Sequence, residues 1–214
     1  MSCALPRTLE FAGRRWAIRA DYRQVLTILE AFDDPELTDA EKAYVCLHNL
    51  YVDFGQIDPG DYGEAYRAAV EFIDCGAEGD GGARMMDWEQ DAPLIFAAVN
   101  RVAGREVRAD AFLHWWTFLG LFMEIRDSTF ATVLMLRQKK AQGKPLEPWE
   151  RDFWQKNAGV CRLRPRLTEA EQATLRMAET GKGEPATWDG VQKVVDWAAA
   201  ETNPPEVIKW STPV

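Results

Sequence analysis

Hydrophobic positions are most concentrated between Asp110 and Glu124, where thirteen consecutive residues carry no formal charge. At the spacing of an α-helix this segment is apolar on nearly every side, with a narrow polar stripe that includes His114 and Thr117. Its large side chains fall on two adjacent faces: Trp115, Phe118, Phe122 and Ile125 on one, and Phe112, Trp116, Leu119 and Met123 on the other. The pattern predicts a buried, aromatic-rich helix at the centre of a helical bundle, with partners on most sides.

The segments before this helix alternate between turn residues and helical periodicity. Residues 8 to 18 contain two short apolar runs on either side of Gly13, which predicts a β-hairpin lying on the helical body. Asp21 has the position of an N-cap, and Thr38 with Glu41 has the spacing of a capping box. Four helices are predicted here: from 21 to about 31, from 38 to about 55, from 62 to 73, and from near Asp91 to Ala103. The apolar stripe of the second is expected to contain Tyr44, Leu47, Leu50 and Tyr51.

The last third of the chain changes composition at GKPLEP, residues 143 to 148. A helix that starts at Ser128 or Thr129 ends before it, and shorter helices are expected at 149 to 156, from Thr168, and at 187 to about 201. Pro204 and Pro205 prevent a helix in the final residues. We therefore predict a mainly α protein: a helical core domain with a small N-terminal β-hairpin at 1–142, a small helical region at 143–203 and an extended tail at 204–214.

Composition and charge disfavour several broad classes of function. The 214 residues carry a net charge of −9, which disfavours a nucleic-acid backbone as the main partner. The four cysteines stand far apart without the spacing of a zinc site, and they indicate reduced thiols in a reducing compartment. No segment resembles a signal peptide, and no apolar stretch is long enough to cross a membrane. We therefore expect a soluble, intracellular protein.

Candidate catalytic and ligand-binding residues are few. His114 lies four residues after Asp110, so that a carboxylate could orient its ring for general-base or ligand chemistry. The alternative, which we favour, is a core histidine with satisfied nitrogens, because no nucleophile or second ligand stands at a recognisable spacing. Asp87, Glu89 and Asp91 cluster, but acids at a helix start stabilise its N-terminus without a metal. We predict no catalytic residue, no cofactor and no metal site.

Three further features have a chemical and a plain interpretation. The glycine-rich loop at 76–84 lacks the GK[ST] ending of a phosphate-binding loop, and we interpret it as a connector. The basic run at 137–144 could touch a phosphate backbone, but in an acidic protein we interpret it as a solvated helix end. His48 is expected to be a partly exposed residue of its helix. None of these features changes the prediction that the protein binds neither nucleic acid nor membrane.

Tryptophan is a more informative residue type, since the chain contains nine. Trp115 and Trp116 are expected in the core. The region after residue 143 has fewer residues to bury an aromatic side chain, and it contains Trp188, Trp197 and Trp210. Aromatic side chains in such regions often anchor interfaces. The alternative is that they pack this region against its own body.

Four motifs resemble those of a known family and occur in the same order. They are LPRTLEFAGRRWAIRADYRQVLTI, MDWEQDAPLIFAAV, LHWWTFLGLFMEI with the TFATVLMLRQKK that follows, and KPLEPWERDFWQKN. Together they resemble the bacteriophage gene-product-fifteen family of siphophage tail-region proteins over residues 5 to 160. The region after Leu167 departs from that pattern.

The resemblance implies a tail assembly chaperone, which binds the aggregation-prone tape-measure protein while the tail tube forms around it. It implies a location in the host cytoplasm and absence from the mature virion, with the tail-tube protein and a second copy of the chain as further candidate partners. The contact residues that we assign, because they are apolar, late in the chain and weakly enclosed, are Trp188, Trp197, Ile208 and Trp210. The alternatives are a structural virion protein of the head-tail connector or tail-completion type, and an enzyme that uses His114 and the acids around Asp87.

Overall fold

The computed structural model describes residues 4–75 and 84–180, and its architecture is mainly α-helical. These residues contain nine α-helices and one two-stranded antiparallel sheet near the N-terminus, so the predicted fold class is confirmed. The chain forms two compact units. The first consists of the described residues up to 75 together with Asp91–Phe130, and the second consists of residues 84–90 and 131–180.

The N-terminal hairpin is formed by two four-residue strands, β1 (Thr8–Phe11) and β2 (Arg14–Ala17). The connecting residues Ala12 and Gly13 have φ of 48° and 68°, the left-handed pair that a two-residue type I′ turn requires. Phe11 and Trp16 stack with 5.3 Å between their ring centroids, and Tyr51 packs edge-on against Phe11 at 5.4 Å. The hairpin therefore lies on the helical body, as predicted, and aromatic contacts hold it there.

Five helices make up most of the rest of the first unit. They are α1 (Tyr22–Asp33), α2 (Asp39–Leu50), α3 (Tyr62–Ile73), α4 (Ala92–Ala103) and α5 (Trp115–Met123). Helices α1 and α2 start at the predicted caps: Asp21 accepts a hydrogen bond from the backbone N–H of Arg23, and Thr38 with Glu41 forms a complete capping box. Helix α4 ends at Gly104, whose φ of 67° is the left-handed conformation that glycine adopts without strain.

The core of the first unit lies where α1 packs against α2 and α5, and where α4 packs against α5. Tyr22 and Phe118 stack at 4.5 Å between ring centroids, and Trp115 stacks on Phe118 at 5.9 Å. Trp115 and Trp116 both donate their indole N–H groups to carbonyl oxygens at the end of α3, at 2.8 and 2.9 Å. The tryptophan pair therefore fastens α5 to α3.

Helix α5 begins at Trp115 and not at Asp110 as the apolar run suggested. The segment before it pairs with the residues that precede α1. The backbone N–H of Tyr22 donates to the carbonyl oxygen of Leu113 at 3.0 Å, and that of Trp115 donates to Ala20 at 2.8 Å. Because this pairing satisfies the backbone polar groups, extended structure replaces the expected first turn of the helix.

Helix α5 is buried on one face. Trp115 and Phe118 are 2% and 0% exposed, whereas Met123 is 68% exposed, and Thr117 and Gly120 also face solvent. The predicted position of the helix in the core is therefore confirmed. Packing partners were expected on most sides of the helix, but they cover only one face.

The second unit contains most of α6 (Thr129–Ala141) and all of α7 (Pro148–Lys156), α8 (Ala158–Cys161) and α9 (Glu169–Thr180). Helix α9 follows Thr168, as predicted, and starts with a capping box, since the backbone N–H of Thr168 donates to Glu171 at 2.9 Å and that of Glu171 donates to the Thr168 hydroxyl oxygen at 3.3 Å. Helix α8 has no counterpart among the predicted elements.

The basic run at the end of α6 is not a simple solvated surface. Arg137 is 5% exposed, and its guanidinium donates to the backbone carbonyl oxygens of Met85 and of the last two residues of α8, at 2.7 to 3.0 Å. Lys139 forms a 2.5 Å ion pair with Glu150, whose side chain is 2% exposed. The interpretation as a solvated helix end is therefore wrong for Arg137 and Lys139, which hold the second unit together.

The first unit ends at Phe130, before the domain boundary predicted at 142, and residues 84–90 belong to the second unit. The region at 143–203 is described only as far as 180, and the tail at 204–214 and most of the glycine-rich loop lie outside the described residues, so these domain limits stay predictions. Among the described helices, none has the length and apolarity needed to cross a membrane.

Candidate partner-binding surface

His114 is enclosed in the first unit, 2% exposed, and caps the start of α5. Its Nδ1 accepts a hydrogen bond from the backbone N–H of Trp116 at 3.1 Å, and its Nε2 lies 2.8 Å from the carbonyl oxygen of Pro6. These two partners require a neutral ring with its proton on Nε2. The contact with Asp110, which belonged to the interpretation that we did not favour, is not formed, because that carboxylate pairs with Arg105 at 2.9 Å. Both ring nitrogens are therefore used to join segments of the fold.

Asp87, one of the three acids considered as metal ligands, has other partners. Asp87 pairs with Arg84 and Arg166, and it accepts a hydrogen bond from the backbone N–H of Gln90 at 2.6 Å. Burial alone raises the pKa of Asp87, but the Gln90 hydrogen bond and the two arginine charges outweigh burial and hold that pKa below its usual value. Among the residues that the structure describes, no group of three or more histidine, cysteine, aspartate or glutamate side chains could hold a metal ion.

The three described cysteines, Cys46, Cys75 and Cys161, are free thiols. Burial raises the pKa of Cys46 to about 12, and it also raises the pKa values of Cys75 and Cys161. A nucleophilic or metal-binding cysteine needs a lowered pKa, so these surroundings favour the protonated thiol. These three thiols are therefore poorly placed to act as nucleophiles or metal ligands.

The first unit carries a cluster of solvent-accessible aromatic rings, which we call the aromatic platform and define as Tyr44, His48, Phe54 and Tyr62. Helix α2 supplies the first two, one turn apart, Phe54 lies in the short 3₁₀ turn after α2, and Tyr62 begins α3. Tyr44 and His48 stack at 5.9 Å between ring centroids, and Phe54 packs edge-on against them at 5.3 and 5.8 Å. Phe54 also stacks on Tyr62 at 5.4 Å, so the four rings form one continuous surface.

Much of the platform is open to solvent. Tyr44 is 55% exposed, His48 is exposed, Phe54 and Tyr62 are half-buried, and Val52 in the adjoining turn is 45% exposed. Full burial of a large apolar side chain contributes about 1.5–3 kcal/mol, so a partner that covers these rings would gain appreciable free energy. Clustered aromatic side chains of this kind are typical of binding interfaces.

The platform is the surface that sequence reasoning missed. Cys46, Leu47 and Leu50 are at most 2% exposed and define the buried face of α2. Tyr44 lies off that face together with His48, so its assignment to the buried stripe is wrong, whereas the expectation that His48 is partly exposed is consistent with its position. The pair of rings at i and i+4 on the flank of the helix was the signal that could have revealed it.

Acidic residues flank the platform in the sequence. Asp53 and Asp61 directly precede two of its rings, and Glu41 lies one turn before a third on α2. Hydrogen bonds from the side chain and backbone of Thr38 hold the pKa of Glu41 below its usual value, so this carboxylate stays ionised. An aromatic surface with negative flanks suits an apolar partner that also carries basic residues.

The four residues assigned to partner binding from sequence, Trp188, Trp197, Ile208 and Trp210, lie outside the described residues, and their role stays a prediction. The family model described as Bacteriophage Gp15 protein matches residues 1–158 of the chain, which include the whole aromatic platform. No curated protein and no solved structure matches the chain significantly.

Proposed function

Because this chain belongs to the bacteriophage Gp15 family, we propose that it acts as a tail assembly chaperone that binds the tape-measure protein while the tail tube is assembled. The family match confirms the resemblance drawn from the four motifs, and it makes the chain a bacteriophage protein of the structural, tail-region class. The tape-measure protein as partner and the chaperone role are our proposal, with the host cytoplasm as the place of action.

The observation that carries the proposal is the aromatic platform. Its four rings touch one another at 5.3 to 5.9 Å, and Tyr44 is more than half exposed. An amphipathic helix can lay its apolar face on such a surface, with anchors spaced at i, i+3, i+4 and i+7. The acidic residues beside the rings would then meet basic residues at the edge of that helix and set its orientation.

The mechanism that we infer is mass action. A chaperone that binds exposed apolar stretches of the tape measure lowers the concentration of free, aggregation-prone chains. Tail-tube subunits then displace it, because they cover the same stretches permanently. The tail-tube protein and a second copy of this chain are further candidate partners, and neither is needed for the mechanism.

Co-expression with the tape-measure protein of the same phage tests the proposal. We expect the soluble fraction of the tape measure to rise at least severalfold when this chain is present, and the two proteins to co-purify. No gain in solubility would refute the chaperone role.

A pair of matched variants locates the contact. Tyr44→Ser removes an apolar side chain that is 55% exposed from the platform, and Met123→Ser removes one that is 68% exposed from α5. We expect Tyr44→Ser to weaken co-purification and Met123→Ser to leave it unchanged, because single aromatic anchors at an interface often contribute about 2 kcal/mol or more. Equal effects of the two substitutions would show that chaperone activity does not depend on the platform.

A further inference from the structure

An open cleft in the first unit lies beside β1 and the C-terminal end of α3, and its volume is about 300 Å³. Its walls are largely apolar and aromatic, and they include Leu9, Phe72 and Trp116. Two carboxylates, those of Glu10 and Glu71, also line it. The volume is at the lower end of the range for ligand sites, which begins at about 300 Å³, and it suits one large side chain.

The aromatic wall of the cleft is fixed before any ligand binds. Trp116 donates its indole N–H to the carbonyl oxygen of Phe72 at 2.9 Å, and the two rings stack at 5.9 Å with their planes 23° apart. Phe72 is 2% exposed, whereas Trp116 is half-buried, so the indole keeps an accessible surface toward the cleft. A ligand therefore meets a rigid aromatic surface, which lowers the entropic cost of binding.

The charge that lines the cleft is negative. Within the described part of the chain, neither Glu71 nor Arg67, which lies one turn earlier on α3, has an ion-pair partner. Glu10 pairs with Arg15 at 2.5 Å, and both of these side chains are well exposed. Glu71 is therefore an uncompensated carboxylate beside an aromatic ring, the two groups that attract a cation most strongly.

Other classes of ligand fit this cleft less well. An anion would be repelled by Glu10 and Glu71. A neutral apolar group would take water away from Glu71 without giving it a hydrogen-bond partner, which is unfavourable. A metal ion would need more ligands, because the described residues offer no cluster of three or more suitable side chains.

We propose that this cleft binds an arginine side chain presented by a partner polypeptide. The planar guanidinium can stack on the indole of Trp116 while it donates two parallel hydrogen bonds to Glu71, and the compact ammonium group of lysine cannot do both. The proposal concerns the cleft and not the aromatic platform, and it holds whether or not the partner is the tape-measure protein.

The test is a titration of the full chain with N-acetyl-arginine amide, followed through the indole N–H signal of Trp116 in ¹⁵N-edited NMR spectra. We expect a saturable shift of this signal with the arginine compound and none with N-acetyl-citrulline amide, which has nearly the same shape but no charge. If the citrulline compound shifts the signal as strongly, or if the arginine compound does not shift it, the proposal is wrong.

Two variants, each lacking one negative charge, test whether Glu71 is the carboxylate that binds the arginine compound. Glu71→Gln should weaken binding of the arginine compound about threefold or more, in line with the loss of a partly exposed ion pair. Glu124→Gln removes the same charge from an exposed position at the end of α5, outside the cleft, and should leave the affinity unchanged. Equal weakening by both variants would mean that only the overall charge of the protein attracts the probe, and would overturn the proposal.

Discussion

The imidazole of His114 joins the N-terminal segment to the start of α5, because one nitrogen faces the carbonyl oxygen of Pro6 and the other caps the N–H of Trp116. We expect His114→Ala to lower the free energy of unfolding by about 2–4 kcal/mol, since it removes an N-cap and leaves a partly buried carbonyl without its donor. His114→Asn keeps an acceptor that can cap the helix and should lose less. Urea unfolding followed by tryptophan fluorescence measures both, and equal losses would contradict the capping role.

Single residues also show what the sequence could not reveal. A run of basic residues suggested solvent contact, yet Arg137 is 5% exposed because three carbonyl oxygens converge on its guanidinium. Those carbonyls belong to residues that are distant in the sequence, so no local sequence pattern predicts these contacts. Tyr44 is the opposite case, an aromatic residue expected inside and found outside, because burial on α2 depends on where α1 and α3 pack.

Among the elements, the hairpin turn is the most clearly strained. Ala12 has φ of 48°, a conformation that asparagine tolerates better than alanine at this position of a type I′ turn. We expect Ala12→Asn to raise the free energy of unfolding by about 0.5–1 kcal/mol, measured by thermal denaturation. Gly13→Ala, at φ of 68°, should lower it by about 1 kcal/mol. A gain from Gly13→Ala would show that the turn does not keep this geometry in solution.

The segment at 84–90 is fastened within the second unit by charged and amide groups. The side chain of Gln90 donates to the carbonyl oxygen of Arg162 at 2.6 Å and accepts from the backbone N–H of Arg164 at 2.8 Å. Asp87 adds its ion pairs with Arg84 and Arg166. Ionised Asp87 is therefore one of the groups that hold this short segment in place.

Acid should weaken this attachment. The pKa of Asp87 is lower in the folded protein than its ordinary value, so the carboxylate stabilises the fold above about pH 4 and that contribution is lost as the pH falls through the folded-state pKa. We expect Asp87→Asn to lower stability by about 2 kcal/mol at pH 7, where charged hydrogen bonds are lost, and to lose less stability than the wild type on acidification. Urea unfolding from pH 7 to pH 3 measures the difference, and parallel pH profiles would contradict it.

Capping patterns predicted the ends of helices well, whereas the length of a helix depended on hydrogen-bond partners that are distant in the sequence. Asp21, Thr38 and Gly104 all mark helix ends where local chemistry says they should, because caps act within one turn. The apolar run after Asp110 predicted too long a helix, since its first residues form backbone hydrogen bonds with the segment before α1. Periodicity identifies which residues are apolar, but it does not show which backbone groups will find partners elsewhere.

For the whole molecule, the net charge of −9 and the aromatic platform have complementary effects. A negative field disfavours a nucleic-acid backbone as a partner, and it speeds encounter with a basic partner. Apolar rings then supply affinity at short range. This combination favours transient binding of another polypeptide, in keeping with a structural, tail-region phage protein, and the predicted contacts of Trp188, Trp197, Ile208 and Trp210 stay open to test.

The chaperone proposal makes a prediction about the finished particle. If tail-tube subunits displace this chain from the tape measure, the two cannot occupy the same apolar stretches, so the chain should leave as the tube closes. Mass spectrometry of infected-cell lysate and of purified virions should therefore find its peptides in the lysate and, in the virions, at far less than one copy per tail. One or more copies in every purified particle would instead support a head-tail connector or tail-completion protein, for which the aromatic platform would be a permanent contact.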